Sequence, residues 1–86
     1  MKLNPDFVIY HSKGVSMLVP DGDAAFSGMV RGNKTFGAVL ELLRRDTDEA
    51  AVVAALCARF DAPESVIAAD VKKALAELRR IGAIDE

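Results

Sequence analysis

"FVIYHSKGVSMLVPDGDAAFSGMVRGNKT", Phe7 to Thr35, decides the fold. "FVIYH", Phe7 to His11, and "VSMLV", Val15 to Val19, are rich in β-branched and aromatic residues and read as strands. "SKG", Ser12 to Gly14, sits between them as a hairpin turn. Pro20 ends the second run, and "DGD", Asp21 to Asp23, is turn chemistry. "FSGMV", Phe26 to Val30, is the third strand of an antiparallel meander. Glycines at Gly28 and Gly32 punctuate it, although an ordinary central strand avoids glycine because it brings no packing.

Helices follow. Asn33 is a good N-cap for a helix running to about Arg45, with Phe36, Val39, Leu40 and Leu43 on one apolar face. Asp46 or Thr47 caps a second helix, in which Val52, Val53, Leu56 and Phe60 face inward. Pro63 suits the first position of a third helix reaching about Ile81. Its stripe is Ile67, Val71, Ala74, Leu75, Leu78 and Ile81. Gly82 is placed for a C-terminal cap, with Ile84 folding back as its apolar partner. Three strands followed by three helices predict an α+β domain, helices packed on a small sheet whose two edges offer unpaired backbone.

A chain of 86 residues supports one domain, residues 1–86, and its 51% hydrophobic content supports a real core. Net charge is −2, which gives no electrostatic reason to bind nucleic acid or an anionic membrane. A single cysteine, Cys57, forbids an internal disulfide and fits a cytoplasmic location. No signal peptide or membrane-length apolar run is visible.

Chemistry is sparse. Cys57 lies on or beside the buried face of the second helix, where a small buried hydrophobe is the expected role. His11 ends a strand with no orienting carboxylate near it in sequence. No Cys or His pair has metal-ligand spacing, and "DGD" lacks the rest of a calcium loop. The carboxylates sit in turns or at helix starts, where backbone reasons explain them. The residues therefore predict no enzyme, no metal and no cofactor.

The third helix carries more information. Lys72 and Arg79 fall on one flank of its apolar stripe and Asp70 and Glu77 on the other, while Lys73 and Arg80 point to solvent. A solvated amphipathic helix explains this pattern, and so does a helix lining a groove with a basic margin. A winged-helix DNA-binding transcriptional regulator is the alternative from another class. Against it, the chain has no glutamine and only two asparagines, Asn4 and Asn33, and acidic residues interrupt its basic ones.

Taken together, the order of elements and several short motifs resemble the PqqD-like family, whose domain is also called the RiPP recognition element. The carrying features are the "VP" turn, the "F-x-G-M" strand, the "N-x-T" helix start, "DTDEAAVVAALCARFDAP" and the "L-x-x-x-G-x-I" ending of the last helix. One departure stands out. Many relatives have leucine before the helix-start asparagine and glycine or alanine three residues after it, whereas here Gly32 and Phe36 hold those positions.

The resemblance implies a winged helix-turn-helix-like scaffold (βββααα) that binds peptide rather than DNA and is not catalytic. It implies that the leader of a ribosomal precursor peptide is added as a strand beside the third strand, against the third helix. A separate modifying enzyme, often of the radical S-adenosylmethionine type, then acts on the presented core peptide. Relatives can dimerise, and a free sheet edge gives a homodimer a physical route. The expected peptide-binding residues are Phe26, Ser27, Gly28, Met29, Val30, Arg31 and Gly32 on the strand. On the helix they are Val71, Leu75 and Leu78 as a wall, for which plain core packing is the competing reading, with Lys72 and Arg79 as a basic margin. Small residues at Ser27, Gly28 and Gly32 would admit a second backbone, and Val30 is the expected backbone donor to it.

Overall fold

The computed structural model describes residues 1–21 and 30–86. Its elements are β1 (Lys2–Leu3), β2 (Phe7–Ser12), β3 (Val15–Pro20), β4 (Val30–Gly32), α1 (Lys34–Leu42), α2 (Glu49–Arg59), α3 (Glu64–Arg80) and β5 (Ile84–Asp85). The main sheet is antiparallel in the order β2-β3-β4, and three helices follow it. This is the expected α+β arrangement.

The hairpin between β2 and β3 fixes the register of the sheet. Lys13 and Gly14 both have positive φ, 49° and 78°. That conformation is the type I′ two-residue loop, whose twist matches that of the flanking strands. Ser12 pairs with Val15 across it, Ile9 with Leu18, and Leu18 in turn with Val30. Side chains alternate between faces. The inner face carries Phe7, Ile9 and His11 from β2, Ser16 and Leu18 from β3, and Val30 and Gly32 from β4.

α1 seats its first turn on this face. Asn33 caps the helix, accepting a 3.1 Å bond from the Phe36 N–H. Phe36 then lies against Gly32, and Gly37 lies against Ser16. A Cβ added at Gly32 would fall within 3.0 Å of the Phe36 ring, and one at Gly37 would meet the Ser16 hydroxyl. Phe36 thus fills the volume that a side chain at position 32 would take.

Val39, Leu40, Leu43, Val52, Leu56, Val71, Leu75 and Leu78 form the centre of the core, each fully buried. Burial of each such side chain is worth roughly 1.5–3 kcal/mol. α3 packs against both α2 and α1, so its apolar stripe is spent on the other helices.

Several boundaries differ from the sequence expectation. α1 ends at Leu42, not Arg45. α2 is capped by Asp48, whose carboxylate accepts from the Ala51 N–H at 2.8 Å, rather than by Asp46 or Thr47. Pro63 precedes α3 in extended conformation instead of entering its first turn. Gly82, at φ 77°, ends α3 in a Schellman motif: its N–H donates to Arg79 O and the Ala83 N–H to Leu78 O. Ala83, not Ile84, takes the buried place next to Leu78. Ile84 instead pairs with Leu3, so β1 and β5 form a second small sheet, which no local pattern announced.

Candidate functional site

The type I′ loop also decides which backbone groups the sheet leaves open. Ser12 and Val15 close it as a hydrogen-bonded pair, and such pairs alternate along an antiparallel ladder. Tyr10–Met17 and Val8–Val19 are therefore bonded pairs, and the series continues where the Asp21 N–H donates to Asp6 O at 2.6 Å. Ser16 and Leu18 must turn their backbone groups the other way, toward their β4 partners Gly32 and Val30. Arg31, opposite Met17, is left with its N–H and C=O directed outward. Val30, expected to donate to a ligand, spends its backbone on β3; Arg31 is the residue whose backbone is open. Among the described residues no strand pairs with that edge.

An open groove of about 520 Å³ runs beside this edge. Val30, Arg31 and Gly32 form its sheet side, with Thr35 and Phe36 at one end and Asp70, Lys73, Ala74 and Glu77 on its helical side. The helical residues follow i, i+3, i+4, i+7 spacing, which places them on one face of α3. Ala74 is the small member of that face and lines the groove together with Val30 and Phe36.

The helical wall expected from the sequence is a neighbouring face of α3. Val71, Leu75 and Leu78 have 0% exposure and do not reach the groove. Their stripe is consumed by α1 and α2, which is the core-packing alternative. Lys72 is exposed but is not among the groove residues. Arg79 turns toward the chain ends, where its Nη2 lies 2.9 Å from Glu86 Oε1. The groove margin is therefore mixed rather than basic. Glu77 is held by Arg80, with contacts of 2.5 and 3.0 Å, and the guanidinium keeps its carboxyl below the usual range. Among the described residues Arg31, Asp70 and Lys73 form no ion pair. Phe26, Ser27, Gly28 and Met29 lie outside the described residues. Gly32 lines the groove, but the ring of Phe36 accounts for its lack of a side chain.

A polar relay lies elsewhere, at the hairpin end of α1. His11 Nδ1 is 2.8 Å from Ser16 Oγ and its Nε2 is 2.7 Å from Glu41 Oε2. Glu41 also accepts from Arg44 at 2.7 and 3.0 Å. Arg44 first, and then His11, lower the Glu41 pKa from 4.5 to about 2. So His11 does have an orienting carboxylate, thirty residues away in sequence. Ser16 is buried and pressed against Gly37, which makes the relay a clasp between the hairpin and α1 rather than an exposed nucleophile. Cys57 is half-buried at the margin of the core. No group of three metal-ligating side chains occurs among the described residues, and no helix there is long and apolar enough to cross a membrane.

Comparison with known proteins gives two matches. Residues 7–84 match the family model described as Coenzyme PQQ synthesis protein D (PqqD). A solved structure, TbiB1 in complex with the TbiA(beta) leader peptide, is similar over 99% of this chain and 95% of that one, with a TM-score of 0.79 and 16% identity. No curated protein matches the sequence.

Proposed function

The chain belongs to the PqqD family, and from that premise we propose that it is a non-catalytic adaptor for ribosomal precursor peptides. The peptide's leader is added as a strand on the outer edge of β4 and lies in the groove against α3. The observation that carries this reading is the outward-facing backbone of Arg31 at the mouth of the groove. An extended peptide there obtains two main-chain bonds from Arg31, and its alternate side chains drop toward Val30, Phe36 and Ala74. A separate modifying enzyme, of the radical S-adenosylmethionine type that the family resemblance suggests, would then act on the core peptide.

The similar fold of TbiB1, solved with a leader peptide, supports this reading. The DNA-binding alternative gains no support, because the groove face of α3 carries Asp70 and Glu77 beside Lys73. Calorimetric titration with leader peptides encoded near the gene tests the proposal. Saturable binding is expected, and Ala74→Arg, which fills the groove, should abolish it while the circular dichroism spectrum is unchanged. Undiminished binding by the folded Ala74→Arg protein would refute the groove.

A further inference from the structure

A second concavity, of about 450 Å³, opens on another side of α1. Thr35 and Phe36 line the groove, whereas Lys34, Gly37, Ala38 and Glu41 line this pocket. Their i, i+3, i+4, i+7 spacing places them on one face of the helix. The remaining walls are the β2–β3 hairpin, from His11 to Ser16, and Arg59 and Phe60 at the end of α2.

The pocket concentrates positive charge in a chain whose net charge is −2. Lys13, Lys34 and Arg59 border it, against a single acid, Glu41. Glu41 is already engaged by Arg44 and His11. Among the described residues none of the three cations forms an ion pair. All three are exposed, and Arg59 lies over the Phe60 ring at 5.6 Å.

Two of these cations stand where local physics favours other residues. Lys13 has φ 49° at the first position of the type I′ loop, a place that asparagine, aspartate or glycine fills most easily. Lys34 begins α1, where the helix dipole favours negative charge, yet the first turn holds no acid. Lys34 also reaches along the hairpin tip, its Cε 3.9 Å from where a Cβ on Gly14 would stand. Backbone preference explains neither lysine, and both border one opening.

We propose that this pocket docks an acidic segment of a second protein, the modifying enzyme that the adaptor serves. The partner's identity rests on the adaptor reading; the charge chemistry does not. Exposed carboxylates of the segment meet Lys13, Lys34 and Arg59. An apolar side chain beside them packs on Val15, which is 42% exposed, and on half-buried Phe60. A small compact anion fits less well. Ser16 is already bonded to His11, and among the described residues no buried side-chain polar atom lacks a partner. Nothing in the wall therefore replaces the water that such an anion would shed. The groove lies on a different side of α1, so an occupied pocket leaves the leader site open, and peptide and enzyme bind together.

Two titrations test the proposal. In the first, hexaglutamate is added to the protein and amide NMR shifts are followed at about 0.05 M and about 0.5 M salt. Saturable shifts are expected at Lys13, Gly14, Lys34, Gly37 and Arg59. They should fade at the higher salt and persist when leader saturates the groove. In the second, the modifying enzyme encoded near the gene is titrated calorimetrically. The double variant Lys13→Asn, Lys34→Glu should weaken both hexaglutamate and enzyme about tenfold. It should leave leader affinity unchanged and hold or raise Tm, since each substitution suits its backbone position. Inorganic phosphate binding as tightly as hexaglutamate, displacement of hexaglutamate by leader, or enzyme affinity indifferent to the double variant would overturn the proposal. Leader that fails to bind, while enzyme and hexaglutamate still respond to the double variant, would refute the groove and support the pocket.

Discussion

Gly32→Ala is a one-carbon change with a cost set by the contact between β4 and α1. The added Cβ would fall within 3.0 Å of the Phe36 ring, closer than real side chains approach. Phe36 cannot withdraw freely, because it is 9% exposed and its N–H holds the Asn33 cap. Overpacking of this kind costs about 1–3 kcal/mol. For a domain of this size each kcal/mol lowers Tm by about 4–8 °C. The cost belongs to the pair, so it should vanish when the ring is removed. Phe36→Ala alone should cost about 3–5 kcal/mol. In that background Gly32→Ala should be neutral, or stabilising by about 0.5–1 kcal/mol, since alanine loses less chain entropy than glycine. Urea denaturation of the four proteins gives the coupling energy directly. An equal cost of Gly32→Ala with and without the ring would refute the steric coupling of positions 32 and 36.

Other contacts give separate expectations. Glu41 has a lowered pKa, so the stability it contributes is full above pH 4.5 and is lost as pH falls toward about 2. Because the carboxylate is 41% exposed, solvent screening leaves about 1 kcal/mol or less. Glu41→Gln should accordingly flatten the acid limb of stability against pH by that amount, as read by denaturation at several pH values. Asp48→Ala removes the α2 cap and should cost about 0.5–2 kcal/mol in urea denaturation, whereas Asp46→Ala leaves that cap bond intact. Gly82→Ala forces a side chain into the left-handed region and should cost about 1–2 kcal/mol, read as a lowered Tm.

The main sheet and all three helices were legible because their signals are local. "SKG" between two β-branched runs fixed a hairpin, and Asn33 before Phe36, Val39 and Leu40 fixed a helix start. What the sequence hid is non-local. The β1–β5 pair joins residues about eighty apart, and two-residue strands have no periodicity to read. The partner of His11 is on another element. The groove face of α3 is hard to read because Ile67, Val71, Leu75 and Leu78 form a clear stripe, and a stripe says that something apolar covers it without saying what. Here α1 and α2 cover it, and the side that lines the groove falls to Asp70, Lys73, Ala74 and Glu77. Likewise, the donor at the edge moved from Val30 to Arg31 because backbone direction depends on the loop type, through the positive φ of Lys13 and Gly14.

A leader strand bonded to the backbone of Arg31, as proposed, would leave a residue-specific mark on the amides of β4. Amide hydrogen exchange, measured residue by residue with and without saturating leader peptide, reads that mark. The Arg31 N–H should exchange rapidly in the free protein and become strongly protected in the complex, while Val30 and Gly32, already bonded to β3, change little. Saturable leader binding that leaves the Arg31 amide unprotected would rule out strand addition at Arg31.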